Sequence, residues 1–99
     1  MSRIETIEGE LKEAMKARDA ERRDALRLIL NALKNSEKEL QRPLSEEEEL
    51  QVLQRERKRR VEAAEAFRSG GREDRAEAEE TELAILEEFM PAPLSEEEV

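Results

Sequence analysis

Between Ala25 and Leu33, seven of nine residues are apolar: Ala25, Leu26, Leu28, Ile29, Leu30, Ala32 and Leu33. On a helix of about 3.6 residues per turn they fill far more than one narrow stripe. A helix that is apolar over most of its circumference must be covered on several sides. The rest of the chain is poorly supplied for that task. Charged residues make up 45% of it, and Leu, Ile, Val and Phe number only 21 of 99. That is just above the level at which a highly charged chain stays disordered. The segment is therefore the expected centre of the fold, with every other apolar side chain recruited around it.

The remaining signals are helical. Ala, Glu, Lys, Leu and Arg account for 66 of 99 residues, the composition of long helices. Ile4, Ile7, Leu11, Ala14 and Met15 form an apolar stripe at helical spacing, which Ser2 can cap. Gly9 falls on its polar side. Asp19 can cap the central helix, which Pro43 bounds. Ser45 followed by Glu48 is a capping box, and Glu46, Glu47 and Glu48 suit a helix N-terminus. Gly70-Gly71 supplies a left-handed stop. A fourth helix follows, nearly bare of large apolar residues until Leu83, Ile85, Leu86, Phe89 and Met90, and closed by Pro91 and Pro93. No apolar alternation persists, so no strand is expected. The expected architecture is all-α: an antiparallel bundle of about four helices near 3–18, 20–41, 46–69 and 73–90. Its expected core is Ile4, Ile7, Leu11, Leu26, Ile29, Leu30, Leu33, Leu50, Leu53, Phe67, Leu83 and Leu86. Ser95 with Glu98 repeats the capping-box pattern. Residues 1–90 thus read as one helical bundle, and residues 91–99 as a mobile linker opening a further, missing helical part.

Several function classes are disfavoured by residue types alone. There is no Cys and no His, so thiol chemistry is absent and a zinc site would rest on carboxylates. The Ser and Thr hydroxyls have no His to activate them. No glycine-rich phosphate-loop or nucleophile-elbow motif occurs. Catalysis by this chain is not expected, nor is any cofactor or metal. No apolar run approaches the length of a membrane span and no signal-peptide core is present, so the default compartment is the cytoplasm, without membrane contact.

The net charge of −9 is unevenly spread. Residues 1–44 carry +1, residues 45–72 carry zero, and residues 73–99 carry −10. The acidic end reads either as a solvated helix face or as a docking surface for a basic partner protein. The neutral middle holds a basic cluster, Arg55, Arg57, Lys58, Arg59 and Arg60, with no apolar residue from Gln54 to Arg60. Arg57 and Arg60 lie on the line joining Leu53 to Ala64, where aliphatic stems can cover the bundle while the heads reach Glu partners. Within the helix, Glu62 can pair with Lys58 and Glu56 with Arg60. Arg55 and Arg59 are adjacent on the outer face and suit phosphate contact. Without interleaved aromatics such a patch grips backbone and does not read bases. Arg68 and Arg72 are further candidates to face outward with it. Arg72 has the wrong sign for a helix start and calls for a partner such as Glu65 or Glu73. Arg27, among apolar neighbours, is expected to bridge to a Glu on the first or fourth helix. Asn31, Asn35 and Ser36 are either solvated or polar contacts to a partner.

The order of "LRLILNALKNSEKEL", "LSEEEEL" and "FRSGGREDRAEAEETELAILEEFMPAPLSEEEV" resembles the YqeY-like proteins. Those share a domain with the tail of GatB, the B subunit of the tRNA-dependent amidotransferase. The most specific part is Gly70-Gly71-Arg72-Glu73-Asp74, followed by Glu82-Leu83, Met90-Pro91 and Leu94-Ser95. Arg75 departs from the apolar residue usual after Arg-Glu-Asp. The resemblance implies a two-part helical fold of which this sequence is the first subdomain, and a tail that touches tRNA without doing chemistry. The family label, carbon–nitrogen ligase with glutamine as amido donor, describes the complex that contains the tail. The expected function is a non-catalytic accessory domain that meets tRNA chiefly through a missing C-terminal subdomain. Arg55, Lys58, Arg59, Arg68 and Arg72 are its RNA-contact candidates in this chain. The alternative is an acidic helical protein-interaction module with no RNA binding.

Overall fold

The computed structural model describes residues 2–91. They form four helices: α1 (Arg3–Lys16), α2 (Ala20–Leu40), α3 (Glu46–Ser69) and α4 (Glu73–Glu87). Helix accounts for 82% of the described residues, and no strand occurs among them. The boundaries follow the sequence signals closely, with two early endings. α1 stops at Lys16 because Ala17 caps it and Arg18 turns left-handed at φ 57°. α4 stops at Glu87 because the chain tightens there: the Glu88, Phe89 and Met90 amides donate to carbonyls three residues back. The linker and Ser95–Glu98 cap expected at the C-terminus fall mainly on residues 92–99, outside the described residues.

The caps hold the helix ends by local hydrogen bonds. Ser2 Oγ accepts the Glu5 amide while Glu5 reaches back to the Ser2 amide, a complete capping box. Asp19 accepts the Arg22 amide at 3.1 Å. Ser45 and Glu48 form the second box, at 3.1 and 2.9 Å. Glu48 also takes two 2.7 Å bonds from Arg42, across the link that carries Pro43. Gly70 closes α3, and Gly71 at φ 78° supplies the left-handed residue that reverses the chain.

Short turns at 17–19 and 70–72 make two antiparallel hairpins, α1–α2 and α3–α4. The direction is set by cross-pairs: Lys34 meets Glu8, while Arg57 meets Glu87 and Arg68 meets Glu80. Helix α2 packs on α1, α3 and α4. It also supplies the largest set of buried residues: Ala25, Leu26, Ile29, Leu30 and Leu33. Ile7, Leu53 and Leu86 are wholly buried against it, with Val52 and Ile85 alongside. Ile4, Leu11, Phe89 and Met90 close the rim.

Five expected core residues, Ile4, Leu11, Leu50, Phe67 and Leu83, are only half-buried, and of these Ile4 and Leu11 still pack against the central cluster. On α4 it is Ile85 that enters the core beside Leu86. Leu28 is 44% exposed, so the cover on α2 is less complete than its sequence demands. At the start of α4, Arg75 stacks over the Phe67 ring at 5.6 Å, a cationic cover where an apolar side chain was expected.

Three outcomes follow for stability. Leu30→Ala, at a buried position, should cost about 2–5 kcal/mol in denaturant unfolding, whereas Leu28→Ala should stay within about 0.5 kcal/mol. Gly9 lies in mid-α1, and a Cβ added there would meet nothing within 4 Å, so Gly9→Ala should raise stability by roughly 0.5–1 kcal/mol. The Arg42 hydrogen bonds, helped by the Ser45 amide, lower the Glu48 carboxyl from 4.5 to about 2. Because the folded value is the depressed one, the Glu48 contribution is complete above its unfolded value and is lost as pH falls through about 2. A carboxyl-carbon NMR titration should find that midpoint, and Arg42→Ala should move it back toward the ordinary range.

Candidate nucleic-acid interface

Helix α3 is charged on both sides, and the two sides are used differently. Its inner stripe runs Glu49, Val52, Leu53, Glu56, Arg60 and Ala64, at spacings of three and four. Three of these are ionic. Glu49 is 5% exposed and meets Arg3 at 3.3 Å, while Arg3 Nε donates to the Phe89 carbonyl at 2.8 Å. Arg60 reaches Glu56 at 3.3 Å and Glu82 of α4 at 3.0 Å. Arg57 reaches Glu87 at 2.9 Å. The expected covering role of Arg57 and Arg60 is thus met by pairing across to α4. Burial, then the charge of Glu79, push the Glu82 carboxyl up, and Arg60 opposes that rise. Glu79 has one buried carboxylate oxygen with no hydrogen-bond partner.

The outer side of α3 holds the three candidates closest in sequence. Arg55, Lys58 and Arg59 are all exposed. Arg59 touches Glu56 at 3.4 Å with its side chain 74% exposed. Among the described residues Arg55 and Lys58 have no ion pair, and the expected Glu62–Lys58 pair does not form. Gln51, Gln54, Arg55 and Lys58 line one shallow depression. Arg55 and Arg59 also border a groove of about 380 Å³ whose α2 wall carries Leu28, Asn31, Asn35 and Ser36. The polar residues singled out on α2 therefore share a surface with the basic cluster.

The other two candidates lie elsewhere. Arg68 is thirteen residues from Arg55 in the same helix, about 20 Å along the axis. It is clamped between Glu73 at 2.8 Å and Glu80 at 3.0 Å, which holds both carboxyls below their usual range and raises the guanidinium. Arg72 pairs with Asp74 at 3.3 Å and not with Glu65 or Glu73. Both sit at the α3–α4 turn, apart from the patch.

The bridge assigned to Arg27 is made by Arg22. Arg22 reaches Glu10 of α1 at 3.0 Å and donates to Glu88, just past α4, at 2.8 and 2.9 Å. Arg27 is exposed and unpaired among the described residues. The signal was available: Arg22 continues the stripe Leu26, Ile29, Leu33 backward by one turn, while Arg27 lies off it. Among the described residues no group of His, Cys, Asp or Glu is placed to hold a metal ion, and no helix is long and apolar enough to cross a membrane.

A family model described as Yqey-like protein matches residues 4–99, a range that includes nearly all of the four helices. An uncharacterized protein of Schizosaccharomyces pombe is 31% identical over 85 residues, which is 86% of this chain and 69% of that protein.

Proposed function

The chain belongs to the YqeY-like family, and we propose that it is a non-catalytic accessory domain that touches tRNA backbone through Arg55, Lys58 and Arg59. The observation that carries this reading is the way the charges divide. Arginines of α2, α3 and the second turn engage Glu73, Asp74, Glu80, Glu82, Glu87 and Glu88. Those six are most of the acidic residues between 73 and 91. The pairing removes much of the negative surface that would dock a basic protein, so that alternative is less favoured. The charge that remains exposed on α3 from Gln51 to Arg59 without a partner from α4, that of Arg55, Lys58 and Arg59, is cationic. A tRNA-handling system related to the amidotransferase is the natural setting, with most of the affinity supplied by a C-terminal subdomain. No chemistry is assigned to the chain, because its hydroxyls lack an activating base and it has no His or Cys.

Three outward cations predict a weak, salt-sensitive contact. The dissociation constant for tRNA near physiological salt should be tens of micromolar or weaker, with a logarithmic salt slope of about −3. Arg55→Glu with Arg59→Glu should abolish the binding. Adding a family-like C-terminal subdomain should tighten it greatly. Nanomolar binding by the 99 residues that survives the double reversal would contradict the assignment.

A further inference from the structure

The turn between α1 and α2 carries a second concentration of positive charge. A notch of about 220 Å³ there is lined by Ala14, Met15, Arg18, Asp19, Arg23 and Arg27. It shares no residue with the α3 patch or with the α2–α3 groove. Three arginines line a small space, in a fold where most arginines are matched to carboxylates. Arg23 and Arg27 are one helical turn apart on α2, a spacing at which like charges repel. Arg18 holds a left-handed backbone at φ 57°, which side chains with a Cβ rarely adopt.

The donors in this notch are largely unmet. Arg18 and Arg27 have no ion pair among the described residues. Arg23 gives its Nε to Asp24 at 2.9 Å, and neither terminal nitrogen has a protein acceptor among the described residues. The one acid in the lining, Asp19, is already engaged as the cap of α2, accepting the Arg22 amide. Planar guanidinium forks suit oxyanions, which they hold by paired N–H donors. Beside them Ala14 and Met15 form an apolar wall, and Met15 is 50% exposed.

We propose that this notch binds a phosphate group, with Arg18 and Arg27 on its oxygens, Arg23 completing the set, and Met15 lying along the carbon skeleton of a phosphoester. The same chemistry could be presented by a small phosphorylated molecule or by a nucleic-acid backbone. It does not depend on the α3 patch, because the two surfaces have no side chain in common.

The test is an amide NMR titration of the whole chain at constant ionic strength, first with inorganic phosphate and then with a short oligoribonucleotide lacking terminal phosphates. Saturable shifts at residues 14–19, 23 and 27 are expected. Arg18→Gln with Arg27→Gln should weaken inorganic phosphate binding, read at the notch amides, at least tenfold, while Lys12→Gln, at an exposed α1 residue outside the notch, leaves it unchanged. Saturation by inorganic phosphate alone assigns the notch to a small phosphorylated molecule, and saturation by the oligonucleotide assigns it to backbone. Saturation by neither overturns the proposal. So does an unchanged affinity in Arg27→Gln and in the double variant, since Arg18 would then only complement the C-terminal dipole of α1. Arg27 is exposed and unpaired, so its single variant should keep the fold if the double variant does not. Unchanged tRNA binding in the α3 reversal would overturn the α3 assignment and leave the phosphate result at the notch standing, so the two assignments fail separately.

Discussion

The buried face of α2 joins two hairpins that have little else in common. Leu26 and Leu33 are wholly removed from solvent, and Ile29 and Leu30 nearly so. Each such side chain contributes roughly 1.5–3 kcal/mol on burial. α2 packs on all three other helices, while α1 has only slight contact with the second hairpin. There the main bond is Arg3, held between the Glu49 carboxylate and the Phe89 carbonyl. Glu49 is buried, so that contact is sensitive: stranding one partner of a buried pair costs on the order of 3–5 kcal/mol. The apolar face of α2 supplies the cohesion. The ion pair fixes where the start of α1 lies against the second hairpin.

Within the second hairpin the arrangement is different. Between Leu53 and Ala64, α3 presents Glu56 and Arg60 inward where a richer sequence would place leucines. Arg57, Arg60 and Arg68 then reach α4 by ion pairs spaced along the helix. Their aliphatic stems cover apolar surface while their heads find carboxylates. The fully buried Ala76 lets the first half of α4 come close without a large side chain. A chain this poor in large apolar residues can in this way hold a helix against the bundle. One mismatch stays in the interface. Glu79 is buried at one oxygen without a partner, and its charge adds to the burial that pushes Glu82 up. That geometry makes ionisation of Glu82 costly at neutral pH, the opposite sign to Glu48.

What could be read from the sequence was what is local. Ser45 with Glu48, Asp19, and Gly70-Gly71 act within four residues of themselves, and the helix ends fall where they point. Features set by distant residues were harder. Leu83, Ile85 and Leu86 crowd four positions, and only the neighbouring helices decide that Ile85 and not Leu83 turns inward. Arg22 and Arg27 both stand near the apolar run, and the choice between them needed the phase of the stripe. Glu49 reads as one more acid in a helix cap until its spacing to Val52 and Leu53 is weighed. The candidate site was legible in part for the same reason. A stretch without apolar residues marks the outer face at Arg55, Lys58 and Arg59. That Arg68 is held by Glu73 and Glu80 depends on how α4 folds back.

The net charge of −9 is a poor guide to what approaches this surface. At cellular ionic strength a charge is felt over about 8 Å, so a partner meets local groups and not the sum. Most acidic side chains of α4 are tied to arginines, which makes the surface of that helix far less negative than its sequence. The same pairing consumes cations. Those left over are therefore informative, because no carboxylate among the described residues holds them. Among the described residues, Arg55 and Lys58 are left on the outer face of α3 and Arg18 and Arg27 in the α1–α2 notch, while Arg75 lies over the Phe67 ring and Lys12 and Lys38 stand apart. In a bundle stitched by arginine and glutamate, the unmatched arginines are where binding to a further anion costs the fold least.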